Sequence, residues 1–431
     1  MPLWRMLLTA VNLVGLRMAG AAIGLISQIL LARLLPQSDV GVILMAMSAA
    51  AIISLAMSAG YPALSMTVLP RYYVLARRNL VRAFNSALWH DTVIVTALVI
   101  LAVVAAAWFA PLDDGVRTAL LFGCLTAPAS VLIRISSSAA NSMRRFSLSY
   151  VPDFLFRPGL LMAYLALAWL GGIALSRTSV LWALVLATAA VALGQTWMLG
   201  RDGPLPQFLD RSRHKIAPLL RGRAASLVIV GAVSAAFADI VTLIGGIYLQ
   251  AHDVAQLGVA MRLAALAGFI TQATQQFVLP DLSAAITRGV RREVETLLFR
   301  INLIALTAIA ACVVGAILFG PLILSVFGQD YAAAHWPLVL LMVSQLFRAA
   351  SGMNQYLLSI DGYQGRTANS CIFAVMVLVA CASVLTPWFG VLGMAMAVVI
   401  ADILWAAALA IQAKNYAGYR GDILAILKFE R

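Results

Sequence analysis

From Thr367 to Ala401 the chain runs for 35 residues without a charged side chain, and from Ile301 to Gln329 for another 29. A helix crosses the hydrocarbon core of a bilayer in about 20 apolar residues. Several further runs reach that length, and they are continuous. A membrane β-strand would instead alternate apolar and polar positions over about 10 residues. Runs of this kind restrict the chain to helices that span a membrane.

Composition supports that restriction. The 431 residues are 63% hydrophobic and 11% charged, whereas a soluble domain carries roughly 25% charge. A chain this apolar could not cover its surface in water. The pattern predicts an all-α polytopic membrane protein with 12 transmembrane helices. The spans are expected at about 7–32, 41–69, 85–110, 117–143, 148–170, 179–199, 224–249, 255–279, 298–319, 336–358, 370–388 and 391–413. A short amphipathic piece is expected at Pro321–Gly328, before the tenth span.

The formal charge of +13 would suggest nucleic acid in a soluble protein. Here it lies mostly in loops, so no nucleic-acid partner is expected. Segments before the first span and after even spans hold 21 basic residues, and segments after odd spans hold three, Arg33, Arg117 and Arg177. The positive-inside rule then places both termini in the cytoplasm, together with a basic linker at 201–223. This linker separates an N-terminal lobe, 1–200, from a C-terminal lobe, 224–413, followed by a tail at 414–431.

The halves resemble each other. At an offset of 214, Asp39-Val40 falls on Asp253-Val254, and Ala46-Met47 falls on Ala260-Met261. Six spans per half give both halves the same orientation, a parallel pseudo-two-fold repeat found in transporters.

Five arginines lie deep in spans: Arg17, Arg134, Arg157, Arg262 and Arg348. An arginine at the helix centre costs at least ~2.5–3.5 kcal/mol, so these should face a protein interior or a watery cavity. Arg134 and Arg348 are related by the 214 offset. Arg134 shares a helical face with Ser130, Ser137, Ser138 and Asn141. Arg348 shares one with Ser344, Ser351, Gly352 and Gln355. Each stripe is expected to be continuous on its helix. Arginine suits phosphate because its planar fork bonds bidentately and stays charged. Arginines rimmed by Ser, Asn and Gln therefore suit a ligand with phosphates and sugar hydroxyls.

The alternative is that buried acids neutralise them. Asp153, Asp239 and Asp402 are available, with Asp91 near a span end. Asp153 and Arg157 are four apart and either pair locally or serve a substrate. Asp239 is the first candidate for ion coupling. Gly60-Tyr61-Pro62 interrupts the second span, as a kink or as a hinge. The four histidines and four cysteines show no metal-ligand or disulfide spacing. There is no nucleotide-binding glycine loop. Neither enzymatic activity nor a cofactor is expected.

The segment Arg33-Leu-Leu-Pro-Gln-Ser-Asp-Val-Gly41 resembles the signature of the polysaccharide-transport flippases. So do Pro152-Asp153 with Arg157-Pro158, and Gly320-Pro321 to Phe327-Gly328. These belong to the multidrug/oligosaccharidyl-lipid/polysaccharide (MOP) exporter superfamily. The resemblance covers nearly the whole chain in span order. It implies a MATE-like fold of two six-helix lobes, alternating access, and export of an undecaprenyl-pyrophosphate-linked oligosaccharide across the bacterial plasma membrane. Membrane lipids, a polysaccharide polymerase and glycosyltransferases are the partners it implies. The drug-exporting branch usually relies on buried acids, and this chain has arginines. The peptidoglycan-precursor flippases are similar but usually have two extra spans, which are not found here. A cation-coupled drug exporter and a non-transporting scaffold for glycan assembly are the rival readings.

The charge asymmetry generates a test. Single cysteines at Arg213 and at Asp113, in a cysteine-free background, are expected to label from opposite sides of the membrane. Labelling of position 213 by an impermeant thiol reagent from outside the cell would overturn the topology.

Overall fold

In a computed structural model of the chain, residues 3–75, 77–201, 236–288, 291–360, 363–417 and 421 are described. The expected linker at 201–223 lies outside them apart from Arg201, as does the expected tail apart from 414–417 and Gly421. The described chain forms two compact units, Met1–Leu243 and Ile244–Arg431.

Where they are described, and apart from turns that break the second at 58–60 and the tenth at 351–353, the expected spans lie on helices. In the first unit these are α1 (Leu3–Leu34), α2 (Gln37–Met57), α3 (Tyr61–Val74), α4 (Arg78–Phe109), α5 (Asp114–Ser142), α6 (Phe146–Val151), α7 (Arg157–Leu170) and α8 (Arg177–Arg201). Helix α9 (Ala236–Tyr248) crosses the division between the units. In the second unit they are α10 (Ala251–Arg288), α11 (Arg291–Ser325), α12 (His335–Ala350), α13 (Asn354–Ile360) and α14 (Gln364–Gln412). Eight helical stretches among the described residues are long and apolar enough to cross a membrane. The 49-residue α14 carries two of the expected spans, parted at Gly390, whose φ of 57° is not helical.

In the first unit α2 packs along α5, α5 along α8, and α1 along α7. Small residues allow the α2–α5 approach. Ala46, Ala49, Ala50 and Gly123 are buried, and a side chain at Gly123 would collide with Ala49. Lipid is as apolar as a leucine side chain, so membrane helices associate by close packing and by hydrogen bonds. In the second unit α11 packs between α10 and α12, and α12 packs on α14. The faces turned away from these contacts are apolar: Leu98 and Leu101 of α4 and Leu318 and Leu322 of α11 are each at least 60% exposed. That is the surface of a protein whose solvent is lipid.

Helix interruptions set the geometry. The break between α2 and α3 comes at the expected Gly60-Tyr61-Pro62, with Ala59 and Gly60 both at positive φ. Its polar groups are satisfied locally: the Ser54, Ser58 and Ser65 hydroxyls each donate to a carbonyl of their own chain segment. The Tyr61 hydroxyl, fully buried against Phe84, donates to Asp91 Oδ2 at 2.7 Å.

A second interruption is a π-helical turn at Pro152–Phe156, between α6 and α7. Pro158 has no N–H to close the ordinary bond to the Phe154 carbonyl. The turn widens, and the Arg157 N–H bonds back to the Pro152 carbonyl. Helix α1 fills the space with Gly20, which approaches the Phe154 carbonyl more closely than any side chain would allow. Ser27 of α1 donates to the Pro158 carbonyl at 3.2 Å.

Two expectations are corrected. Pro321–Gly328 is not a separate interfacial piece: α11 runs through Pro321 to Ser325, and a 3-10 turn at Gln329–Ala334 follows. A proline in a long helix costs one backbone bond, and the helix continues through Pro321 to Ser325. The second polar stripe is also not continuous, because α12 ends at Ala350 and residues 351–353 form a turn with Gly352 at φ 57°.

The Tyr61–Asp91 contact yields a prediction. A hydrogen bond to a charged group contributes about 1.5–3 kcal/mol. Tyr61→Phe is therefore expected to lower stability by about that amount, read as a lower midpoint of unfolding in a graded detergent series. An unchanged midpoint would mean that Asp91 is satisfied without it.

Candidate functional site

Two deep arginines of the first unit, Arg134 and Arg157, lie within electrostatic reach of each other. Arg134 projects from α5 and is half-buried. It lies within electrostatic reach of Asp153, Arg157 and Asp239. Arg157 Nη1 is 3.3 Å from Asp153 Oδ1, so the local pair does form. The π turn gives this pair a different helical phase from an ordinary i,i+4 pair, because five residues rather than four separate successive turns. Asp239 of α9 accepts a hydrogen bond from Ser48 of α2 at 3.0 Å.

The rest of the first stripe divides by environment. Ser138 is 1% exposed and donates to the Ile135 carbonyl, which puts it in the packed core. Ser130 likewise donates within its own helix. Asn141, half-buried, donates to the Tyr150 hydroxyl at 3.3 Å. Ser137 receives a bond from Gln195 of α8 at 2.9 Å, and the Gln195 amide also reaches the Leu148 carbonyl. The Ser149 hydroxyl closes the Ser137 carbonyl at 2.8 Å. This network pins α5, α6 and α8 together below Arg134.

Arg17 lies one turn before Gly20, on the helix that packs against the π turn. Its side chain lies outside the described residues.

The second unit treats its arginine differently. Arg348 lies near the end of α12, with Nη1 3.8 Å from Oδ1 of Asp402 on α14. Its guanidinium carbon sits 5.0 Å from the ring centre of Trp405. Asp402 is 1% exposed. Ser351 lies in the turn that ends α12, and Gln355 lies beyond it on α13. Arg262 projects from α10 and is exposed.

The neutralising acids considered from the sequence are thus in use. Asp153 pairs with Arg157, Asp402 pairs with Arg348, and Asp239 lies within reach of Arg134. Sequence reasoning missed Gln195, Ser48 and Trp405. Trp405 had a visible signal, since it follows Asp402 by three residues and so shares its helical face.

In overall fold the chain is similar to solved structures of transporters. A lipid II flippase, MurJ, in an inward closed conformation superposes with a TM-score of 0.71 at 15% identity, over 94% of this chain and 87% of that one. An inward-facing multidrug resistance MATE family transporter of the MOP superfamily gives 0.68 at 14% identity, over 95% and 98%. An outward-facing MATE transporter gives 0.59 at 16% identity, over 94% and 95%. No protein-family model and no curated protein sequence matches the chain.

The Arg348–Asp402 pair can be tested directly. Removing one partner of a buried ion pair strands the other charge and costs about 3–5 kcal/mol. Arg348→Ala is expected to reduce the folded protein recovered from membranes, and adding Asp402→Asn should restore most of it. If the single variant accumulates like the parent, the pair does not hold α12 to α14.

In fold, the chain is a multi-pass helical membrane protein that resembles a lipid II flippase and a MATE family transporter.

Proposed function

We propose that the chain is an alternating-access flippase that exports a lipid-linked oligosaccharide, carried on undecaprenyl pyrophosphate, across the bacterial plasma membrane for surface polysaccharide assembly. The observation that carries this reading is the placement of Arg134. It is an intramembrane cation that shares Asp153 with a second arginine, Arg157, on a fold similar to that of a lipid II flippase. Arg134 and Arg157 bind the pyrophosphate, and Arg17 and Arg262 add charge along the path. Asn141, Ser351 and Gln355 meet sugar hydroxyls, while the polyprenyl tail stays in lipid.

Arginine supports this chemistry because a desolvated guanidinium exchanges a carboxylate partner for a phosphate without changing its protonation state. The membrane potential assists, since an anion moving outward from a negative interior gains ~2.3 kcal/mol per charge per 100 mV. Asp239 is proposed as the coupling group, exchanging its Ser48 bond for a cation. Both termini are cytoplasmic in this reading, and polymerase and glycosyltransferases receive or supply the glycan on either side.

The test replaces the arginines. Arg134→Ala is expected to stop export with the protein still inserted, so that the lipid-linked intermediate accumulates on the inner leaflet. Arg134→Lys keeps charge but loses the fork, and export should fall part way. Arg157→Lys should be mildest, because Asp153 accepts an ammonium. Because Arg348 also holds Asp402, its role is read in the Arg348→Ala, Asp402→Asn background, which should insert and fail to export. Normal export by Arg134→Ala, or its disappearance from the membrane, sinks the phosphate assignment. Outward movement of fluorescent cationic drugs by the parent would favour the drug exporter instead. Intact translocation alongside failed assembly would favour the scaffold.

A further inference from the structure

The break between α12 and α13 holds one residue from far along the chain. Gly421, beyond the end of α14, is buried in it. Its carbonyl accepts the Met353 N–H at 3.2 Å and the Asn302 side-chain amide of α11 at 2.9 Å. Its N–H donates to Asn354 Oδ1 of α13 at 2.8 Å. Both backbone groups of Gly421 are thus claimed, by three elements of the second unit. From the opposite side, Gln275 of α10 donates to the Gly352 carbonyl at 2.9 Å.

The seat is shaped for a bare backbone. A side chain on Gly352 would collide with the Gly421 carbonyl and with Asn302. A Cβ on Gly421 would lie 2.9 Å from Asn354 Oδ1, 2.9 Å from Leu357 and 3.0 Å from the Asn354 nitrogen. Two facing glycines make the contact possible. Asn302 and Asn354 are 1% and 0% exposed, and their remaining polar atoms, Asn302 Oδ1 and Asn354 Nδ2, have no hydrogen-bond partner among the described residues. These two buried asparagines are therefore committed to Gly421.

The approach to the seat is also held. After α14 a π-helical turn, Ala413–Ala417, carries Tyr416. Its ring lies 5.3 Å from the Tyr363 ring and beneath Arg366, whose guanidinium carbon is 4.7 Å from the ring centre. Tyr363 and Arg366 belong to the opposite end of the same long helical hairpin.

We infer that Gly421 acts as a strap that latches the α12–α13 break, and that its release frees α13 to swing about Gly352. Met353 and Leu357 join the apolar cluster of α10 and α11, so the strap fixes α13 against both helices. Undocking strands the Met353 N–H and two asparagine side chains in an apolar surround. An unsatisfied buried polar group is costly. The latch therefore opens only together with a movement of α13 or with entry of water. Ser351 and Gln355 flank the break, so the strap controls their position relative to Arg348. This inference is independent of what the protein carries.

Backbone amide exchange in the full chain, reconstituted in lipid nanodiscs, tests it. The Met353 and Leu357 amides should be protected in the parent. They should exchange at least about tenfold faster in Gly421→Val and in Asn302→Ala, for loss of two or more hydrogen bonds, while α10 stays protected. Unchanged exchange at Met353 in both variants would overturn the latch. A tether gives the opposite sign without disturbing the seat. With Tyr363→Cys and Tyr416→Cys in a cysteine-free background, oxidation should form a disulfide and slow Met353 exchange, and reductant should restore it. Failure of the disulfide to form, or equal exchange in both redox states, would also overturn it.

Discussion

Lipid offers no hydrogen bonds, so every interruption of a helix here must be closed by the protein itself. That requirement organises the structure more than any single contact does. An unpaired backbone group in hydrocarbon costs several kcal/mol, which is why membrane spans are normally unbroken. The chain breaks its helices at several points and answers each one differently. At 58–60 the serines of the same helix fold back on their own carbonyls. At the π turn, proline removes the donor, a glycine on α1 covers the exposed carbonyl, and Ser27 reaches the next one. At 351–353 the closure comes from Gln275 on one side and from Gly421 on the other. The closer is local in the first case, on a neighbouring helix in the second, and in a distant segment in the third. A closure supplied from further along the chain can be withdrawn without unfolding the helix that it serves.

The same accounting governs the charges. A buried guanidinium needs several partners, and a single carboxylate supplies only part of them. Arg348 has a carboxylate at 3.8 Å and an aromatic face at 5.0 Å, a loose arrangement in which the indole contributes cation–π attraction. Arg157 has Asp153 at 3.3 Å. Arg134 shares Asp153 with Arg157. The Arg157–Asp153 and Arg348–Asp402 contacts, at 3.3 and 3.8 Å, are longer than the short bidentate fork that Arg–carboxylate pairs favour.

Much of this was legible in the sequence, for a physical reason. Membrane helices are written as long uncharged runs, so the spans could be read from Thr367–Ala401 and its counterparts without tertiary information. Gly60-Tyr61-Pro62 announced its break because Gly and Pro act locally. The break at 351–353 was harder. Ser-Gly-Met is compatible with a helix, and the turn there, with Gly352 at positive φ, is met by the Gly421 carbonyl from beyond α14. A periodic reading therefore drew Arg348, Ser351 and Gln355 on one continuous face, and the chain turned between them. The extent of α11 failed in the opposite direction, since Pro321 suggested a boundary and the helix continues through it to Ser325. Among the site residues, the Asp153–Arg157 pair was visible because it is local. Ser138 looked like a ligand donor from its position in the stripe, and only the packing of α5 showed it to be core. Ser48–Asp239 and Gln195–Ser137 could not be read at all, because they depend on which helix faces which.

The internal repeat makes the remaining asymmetry informative. Arg134 and Arg348 stand 214 residues apart in matching spans, yet one lies inside the unbroken α5 and the other sits two residues from the end of α12. Counting back the same interval from Asp402 reaches Thr188, a buried residue that bonds only to its own helix. The first unit takes its acids instead from the π turn and from α9. So the two arginines, related by the 214-residue offset, stand in different settings. In the first unit the α5 network of Ser137, Gln195, Ser149 and Asn141 fixes Arg134 in a rigid frame. In the second, the arginine precedes a swivel at Gly352, and its acid lies on α14, the helix that leads to the strap. A rigid cation is suited to hold a charged group in register, and a cation beside a hinge is suited to move with it.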